Sequence, residues 1–248
     1  MLKVIINGYS GAMGKVLTKC VNEDSELQLV CASSKDSLKD VPFKTYTNAI
    51  DIEENADVII DFSHHSAISD VLSYATKTKT PLVIATTGFN DDELEKIKDA
   101  SSIIPIFHSS NMSLGVNVLV KLVKEAAKAL NGFDIEIIEK HHNKKLDSPS
   151  GTAVMIANGV KDVLADSEFI YGRHGRSEKR SSNEVGIHAI RGGTIVGEHT
   201  TIFAGHDEVV EIKHTAQSKD IFAKGAIAAA KFLVNKEAGY YNMDNMLQ

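Results

Sequence analysis

Short apolar runs at residues 3–7, 27–32, 58–61, 82–85 and 103–107 read as buried strands. Between them the apolar positions change period. Met13, Val16, Leu17, Cys20 and Val21 recur at i, i+3, i+4, i+7 and i+8, the spacing of one helix face, and Ile68, Val71, Leu72 and Ala75 repeat the pattern. A third helix, near 91–99, opens on Asn90 followed by Asp91, Asp92 and Glu93. That is an N-cap with acids that suit the positive end of a helix dipole. Strand alternating with helix predicts a parallel sheet covered on both faces.

The second half has a different rhythm. A helix over 117–130 ends at Asn131-Gly132, a C-cap signal. A strand at 135–139 follows, then a polar loop and a helix over about 152–164. Three strand-like runs, at 184–190, 195–203 and 208–215, are separated by Arg191-Gly-Gly and Ala204-Gly-His-Asp. Consecutive strands of this kind predict an antiparallel meander and hence an α+β domain. A final apolar helix over 221–234 resembles the covering helices of the first half and is expected to pack back onto them.

The first helix is entered through Gly8-Tyr-Ser-Gly-Ala-Met-Gly14, directly after the first strand. The spacing is G-x-x-G-x-x-G, looser than G-x-G-x-x-G, but the strand–turn–helix context is that of a dinucleotide loop. Backbone that must turn tightly and approach a pyrophosphate leaves no room for side chains, and the helix start offers its N–H groups to the phosphates. Gly8, Tyr9, Ser10, Gly11, Ala12, Met13 and Gly14 are therefore candidate cofactor-binding residues on a Rossmann-like sheet. At the end of the second strand, a carboxylate would accept from an adenosine ribose and repel a 2′-phosphate. Here the stretch is Cys31-Ala-Ser-Ser-Lys35, with no carboxylate before Asp36. Ser34 can donate to a phosphate and Lys35 can neutralise one, so NADPH is preferred and NADH possible; a solvated surface lysine is the alternative for Lys35.

Charge narrows the partners. The chain has 248 residues and a net charge of −6, with 43% hydrophobic and 24% charged residues. This is room for one or two domains. A nucleic-acid or membrane-surface binder needs a broad basic face, which this balance argues against; a small anion needs only a local positive pocket. The apolar start is too short for a signal peptide, and no run approaches the roughly 18 apolar residues of a spanning helix. Two cysteines, Cys20 and Cys31, are too few for a disulfide framework. A reduced, cytoplasmic setting is expected.

One stretch breaks the acidic pattern. Residues 140–145 hold Lys140, Lys144 and Lys145 with His141 and His142 and no carboxylate. They lie after a strand and before a helix that starts at Pro149, Ser150, Gly151 and Thr152. Such a helix start presents N–H groups to an anion, and lysines beside it suit a carboxylate-bearing substrate. Histidine is the natural general acid near neutral pH. Zinc is not expected, for lack of a third ligand at suitable spacing; a solvated basic loop remains the alternative. Weaker candidates follow other strand ends: Ala85, Thr86, Thr87 and Gly88, then Ser109, Ser110, Asn111 and Met112. Strand ends of an open α/β sheet are where ligands bind, although helix capping would use the same residues. His64 and His65 are not favoured as acids. Arg173, Arg176 and Arg180, with Gly172 and Gly175, read as a basic loop able to close on an anion or simply solvated.

Taken together, these motifs resemble the 4-hydroxy-tetrahydrodipicolinate reductase (dihydrodipicolinate reductase) family. The resemblance spans nearly the whole chain: Gly8–Gly14, Asp61-Phe-Ser63, Ala85-Thr-Thr-Gly-Phe89, Asn111-Met-Ser-Leu-Gly-Val-Asn117, Ile137-Ile-Glu-Lys-His-His142, Lys145-Leu-Asp-Ser-Pro-Ser-Gly-Thr-Ala153, Arg191-Gly-Gly, Val196-Gly-Glu-His199 and Phe222-Ala-Lys-Gly-Ala226. It implies NAD(P)H-dependent reduction of 4-hydroxy-tetrahydrodipicolinate in diaminopimelate and lysine biosynthesis. It implies that His141 is the general acid, assisted by Lys145, and that His142, Gly151 and Thr152 hold the substrate carboxylates. Thr86, Thr87 and Ser109–Met112 would line the nicotinamide end, with Thr87 also beside the substrate. The dinucleotide-binding domain would be discontinuous, 1–112 and 219–248. Residues 113–218 would form a substrate and tetramerisation domain with a mixed or antiparallel open sheet. Two positions depart from the family pattern. Ser34 and Lys35 replace a common acid, and Lys219 replaces an arginine after His214-Thr-Ala-Gln-Ser218; lysine lacks the planar fork. The rival readings are a related aspartate or homoserine dehydrogenase, which lacks the basic run followed by Ser-Gly-Thr, and a non-catalytic NADPH-binding regulator on the same fold.

Overall fold

The computed structural model describes residues 1–36, 40–176 and 179–248. They form two compact units, Met1–Leu114 with Lys219–Gln248, and Gly115–Ser218.

In the first unit the apolar runs are strands: β1 (Leu2–Asn7), β2 (Leu27–Ser33), β3 (Lys44–Tyr46), β4 (Val58–Asp61), β5 (Leu82–Ile84) and β6 (Pro105–His108). The helices between them are α1 (Ala12–Glu23), α2 (Ile68–Thr78) and α3 (Asp91–Ser101). Later in the chain, α6 (Asp220–Leu233) and β12 (Gly239–Tyr241) complete the unit. The sheet order is β12-β6-β5-β4-β1-β2-β3, with every pair parallel. The chain starts in the middle, winds out to β3 and returns to β4 on the other side of β1. Alternate residues of β1 serve opposite faces. Val4 and Ile6 pack with Leu17 of α1 and Ala226 and Ala230 of α6, whereas Ile5 packs with Val71 and Ala75 of α2 and Ile97 of α3. Such double burial removes the polar face that would otherwise give each strand an alternating pattern. The last apolar helix thus covers the first unit, lying against α1, β4, β5 and β6.

The second unit holds α4 (Leu114–Ala129, begun one residue earlier), β7 (Asp134–His141), α5 (Gly151–Lys161), β8 (Glu168–Tyr171), β9 (Glu184–Arg191), β10 (Gly197–Ala204) and β11 (Val209–Ala216). The meander expected from the last three strands is not what forms. The order is β11-β10-β7-β9-β8: β10 pairs antiparallel with β11 and β7, while β7, β9 and β8 are parallel. Only β10 and β11 make a hairpin. The Arg191-Gly-Gly segment is not a tight turn but a crossover past the end of β7, held by Gly192 N–H to His141 O at 2.9 Å and Asn143 N–H to Gly193 O at 3.2 Å. Helix α5 carries the chain to the edge strand β8, from which it returns to β9, parallel to both β8 and β7. β7 also runs further than the apolar run that announces it, and His141 stands on the strand rather than in a loop.

Odd-numbered residues of β7 face the two helices. Ile135 and Ile137 pack with Leu119, Val123 and Ala127 of α4 and with Ile156, Ala157 and Val160 of α5. The opposite face carries Glu136, Ile138, Lys140, Glu198, Thr200 and Ile202, all partly exposed.

Candidate active site

The glycine loop leaves β1 at the point where the strand order reverses, between β1 and β4, the place where open parallel sheets bind ligands. Two of its glycines are dictated by close packing. Gly8 has φ +87°, and a Cβ there would stand 2.6 Å from Phe62 O; a Cβ on Gly14 would stand 2.1 Å from Gly8 O. Gly11 is different: exposed, it leaves the outer face of the loop bare. As the N-cap of α1 it supplies no side-chain hydrogen bond, and the first turn holds no acid. Helix α3, by contrast, is closed by a capping box of Asn90 and Glu93. The start of α1 therefore keeps its positive end for a ligand anion. In front of it lies a cavity of about 280 Å³ lined by Gly8, Ser10, Gly11, Ser34, Lys35 and Asp36 among others. The Ser10 and Ser34 hydroxyls meet there at 2.5 Å. Backbone glycine, two hydroxyls and an exposed ammonium fit the phosphorylated adenosine half of a dinucleotide.

Beneath the loop runs a buried polar chain. Ser33 Oγ donates to Asn7 Oδ1 at 2.6 Å, Asn7 Nδ2 to Asp61 Oδ1 at 2.7 Å, and Thr86 Oγ1 to Asp61 Oδ2 at 2.8 Å. Asn7 is in register with both Ser33 and Asp61, so the chain ties the ends of β2, β1 and β4 to the segment after β5. Burial pushes the Asp61 carboxyl up, against the pull of hydrogen bonds from Ser63, Thr86 and Asn7. Thr86, a candidate for the nicotinamide end, has its hydroxyl committed to this chain, whereas Thr87 is exposed. Tyr9 and Met112 are core residues: the Tyr9 ring packs edge-on against Phe43, and Met112 O occupies the space a Cβ on Gly225 would need, 1.7 Å away. Ser109, Ser110 and Asn111 follow β6 and lie outside the 280 Å³ cavity.

In the second unit the candidate chemistry gathers at the end of β7. Glu139 and His141 are two apart on one strand and share a face. Glu139 is fully buried, and its Oε2 lies 2.6 Å from His141 Nδ1. Arg191, in register with His141 on β9, donates from Nη1 to Oε2 at 2.8 Å and from Nη2 to Oε1 at 2.7 Å. The Ser150 N–H reaches Oε1 at 3.0 Å. Burial alone would raise the Glu139 carboxyl, but the bonds from Arg191, His141 and Ser150 outweigh it and hold it below the usual range. Ser150 caps α5, taking the Ala153 N–H on its hydroxyl. Gly151 follows, exposed, with nothing within 4 Å of where a Cβ would stand. Lys145 is four-fifths buried and pairs with Asp147 at 2.8 Å. His142 keeps its Nδ1 buried without a hydrogen-bond partner.

Two profiles of one family match the chain end to end: dihydrodipicolinate reductase, N-terminus, over residues 2–112, and dihydrodipicolinate reductase, C-terminus, over residues 115–247. The chain belongs to the dihydrodipicolinate reductase family. Its relatives include a 4-hydroxy-tetrahydrodipicolinate reductase of Caldanaerobacter subterraneus subsp. tengcongensis, 51% identical over 100% of this chain and 99% of that protein. Another, from Clostridium tetani, is 47% identical over 100% of this chain and 97% of that protein. The dipicolinate-bound dihydrodipicolinate reductase of Paenisporosarcina sp. TG-14 has the same fold, with a TM-score of 0.82 over 99% of each chain at 21% identity.

Within this family frame, the structure brings His141, Lys145, Gly151 and Thr152 onto one β7–α5 corner, and Gly8, Ser10, Gly11, Ser34 and Lys35 around one cavity. Sequence reasoning passed over Glu139, Arg191 and His199. His199 is 4% exposed, its Nε2 lies 2.9 Å from Ser150 Oγ, and its ring stands edge-on to His141 with centroids 5.2 Å apart. It shares the inward phase of β10 with Gly197, Thr201 and Phe203, a mixed phase that carries no clear apolar signal in the sequence.

Proposed function

We propose that this chain is a 4-hydroxy-tetrahydrodipicolinate reductase that uses NAD(P)H, with NADPH preferred, in diaminopimelate and lysine biosynthesis. The observation that carries the site assignment is the end of β7, where a histidine backed by a buried carboxylate stands beside a helix start whose first residue, Gly151, carries no side chain. The reduced nicotinamide, when bound, supplies a hydride to the substrate ring.

The chain's own residues do the rest. Glu139 accepts only, so His141 donates from Nδ1 to it and its Nε2 is the nitrogen left to pass a proton to the ring. The 4-hydroxyl leaves as water, and one hydride and one proton then reduce the resulting dihydrodipicolinate ring to tetrahydrodipicolinate. The α5 start at Gly151 and Thr152, with Lys145 and His142 beside it, binds the carboxylates. A side chain on Gly151 would project into the space a carboxylate must enter. Ser10, Ser34 and Lys35 support the choice of NADPH: two hydroxyls and an ammonium receive a 2′-phosphate, although Asp36 in the same cavity leaves ribose hydroxyls a partner and so allows NADH.

We further propose that copies of the chain pair through the partly exposed sheet face of the second unit to give a homotetramer in the cytoplasm. Among the described residues no helix is long and apolar enough to cross a membrane.

The test couples the protein to the synthase that makes its substrate from pyruvate and aspartate semialdehyde, and follows NADPH and NADH in parallel. Rapid NADPH loss that needs the synthase, and slower NADH loss, is the expected result. No loss of either, with dinucleotide binding intact, would overturn the substrate assignment.

A further inference from the structure

We infer that Glu139 is a positioning residue that sets the proton donor and the carboxylate-binding helix start in register with one another; the inference rests on the site proposed above. A carboxylate offers about four acceptor directions, and all four here are taken. Oε2 receives His141 Nδ1 and Arg191 Nη1; Oε1 receives Arg191 Nη2 and the Ser150 N–H. One buried anion thus fixes three elements: its own strand β7, the end of β9, and the N-cap of α5.

The arrangement closes on itself. Ser150 bonds Glu139 with its N–H and His199 with its hydroxyl, and the His199 ring stands edge-on to His141, which bonds Glu139 in turn. The His141 ring is therefore held at Nδ1 by a bond and packed against a second ring. Gly197 leaves it room: a Cβ there would stand 3.1 Å from His141 Nε2. The consequence is a defined tautomer. When His141 has given up its Nε2 proton, the remaining proton stays on Nδ1, where only an acceptor faces it. The nitrogen aimed away from Glu139 is then always the one that exchanges protons.

The charged and titratable groups around the ring are consistent with this role. Glu139 comes from β7, Arg191 from β9 and His199 from β10, with His214 in register beyond it on β11 and Lys145 in the following loop. Burial and the nearby His141 push His199 down to about 4, so it stays neutral beside a protonated His141. Arg191 is occupied by Glu139 and by Asp147 O at 2.7 Å, which also anchors the loop that carries Lys145.

The experiment uses the full chain, labelled with ¹⁵N-histidine, at a pH where His141 is neutral. Its signal is assigned by its absence in His141→Gln, and two-bond ¹⁵N–¹H couplings read the tautomer. The inference requires the Nδ1–H form; an Nε2–H form overturns it. Alongside, Glu139→Gln cannot face Arg191 and His141 with acceptors on both arms. Its kcat should fall by roughly two to four decades, the upper end being the loss on removing an orienting carboxylate behind a catalytic histidine, while KM for NADPH stays within about twofold. A Glu139→Gln enzyme with unchanged kcat overturns the inference as well. Should that variant not fold, the wild-type tautomer decides alone. Wild-type turnover of NADPH with the wrong tautomer refutes only the role of Glu139; the right tautomer without turnover refutes only the substrate.

Discussion

His199 makes the second unit acid-labile in a way that can be isolated. Its ordinary value is 6.5, and in the folded chain burial first, then the nearby His141, lower it to about 4. Between those values the unfolded chain takes up a proton that the folded chain refuses. The unfolded state then binds more protons, so stability rises with pH across the window and is lost as pH falls from 6.5 towards 4. The full span, 2.5 units at 1.36 kcal/mol each, is worth about 3 kcal/mol, of which about 2 kcal/mol is already lost on going from pH 7 to pH 5. Glu139 acts in the same sense but below its ordinary carboxylate range, so a comparison above pH 5 leaves most of its contribution out. His214 is also lowered by burial, and a variant separates the two. His199→Gln keeps an N–H near the position of Nε2, able to bond Ser150, and cannot titrate. Urea unfolding of the dinucleotide-free protein at pH 7 and pH 5, followed by circular dichroism, should show the wild type losing about 2 kcal/mol more than His199→Gln over the interval. A ¹³Cε1 titration of His199 should show no protonation step near pH 6.5. Equal pH dependence in the two proteins, or an ordinary midpoint for His199, would refute the reasoning.

Three further outcomes follow from the first unit. Lys35→Glu replaces attraction for a 2′-phosphate by repulsion and should move the NADH-to-NADPH ratio of kcat/KM by about tenfold towards NADH; an unaltered ratio removes Lys35 from the phosphate site. Gly14→Ala drives a Cβ to 2.1 Å from Gly8 O, backbone against backbone, so the loop must open. Isothermal titration should show NADPH binding weakened on the order of tenfold or more, with a lower Tm. Asp61→Ala leaves Asn7 Nδ2 without its buried acceptor and the Thr86 hydroxyl with only Ser63 O, 3.1 Å away, and should cost about 2–4 kcal/mol in denaturant unfolding; a loss under 1 kcal/mol would mean that water or a local shift replaces the carboxylate.

The first unit was the more legible one because its evidence is local. Strand and helix periods, the glycine loop and the Asn90 cap each occupy a few consecutive residues, and the structure places them at β1, α1 and α3. The three-residue strands β3 and β12 carry too little pattern to be read, being edge strands with one neighbour each. The second unit was harder because its pairing is not sequential. β7 lies between β9 and β10, which are far from it in the chain, so an argument from neighbouring runs predicts a meander. The same distance hid half of the site. The basic run 140–145 is visible as composition, but Glu139 sits just outside it and looks like any alternating strand acid. Its partners Arg191 and Ser150 are 52 and 11 residues away, and only the sheet register brings them together. Arg191 looked like part of a turn because two glycines follow it. In the sequence His199 stands out only within the Val196-Gly-Glu-His199 motif; its interior place between Gly197 and Thr201 comes from the sheet.

The most direct test of the account is turnover of wild type and His141→Gln with synthase-generated substrate and NADPH, with NADPH affinity measured on both. The account predicts that kcat falls by roughly two to four decades while the NADPH Kd changes little. Unchanged turnover in the variant would contradict it, because the proton would then come from a group other than His141.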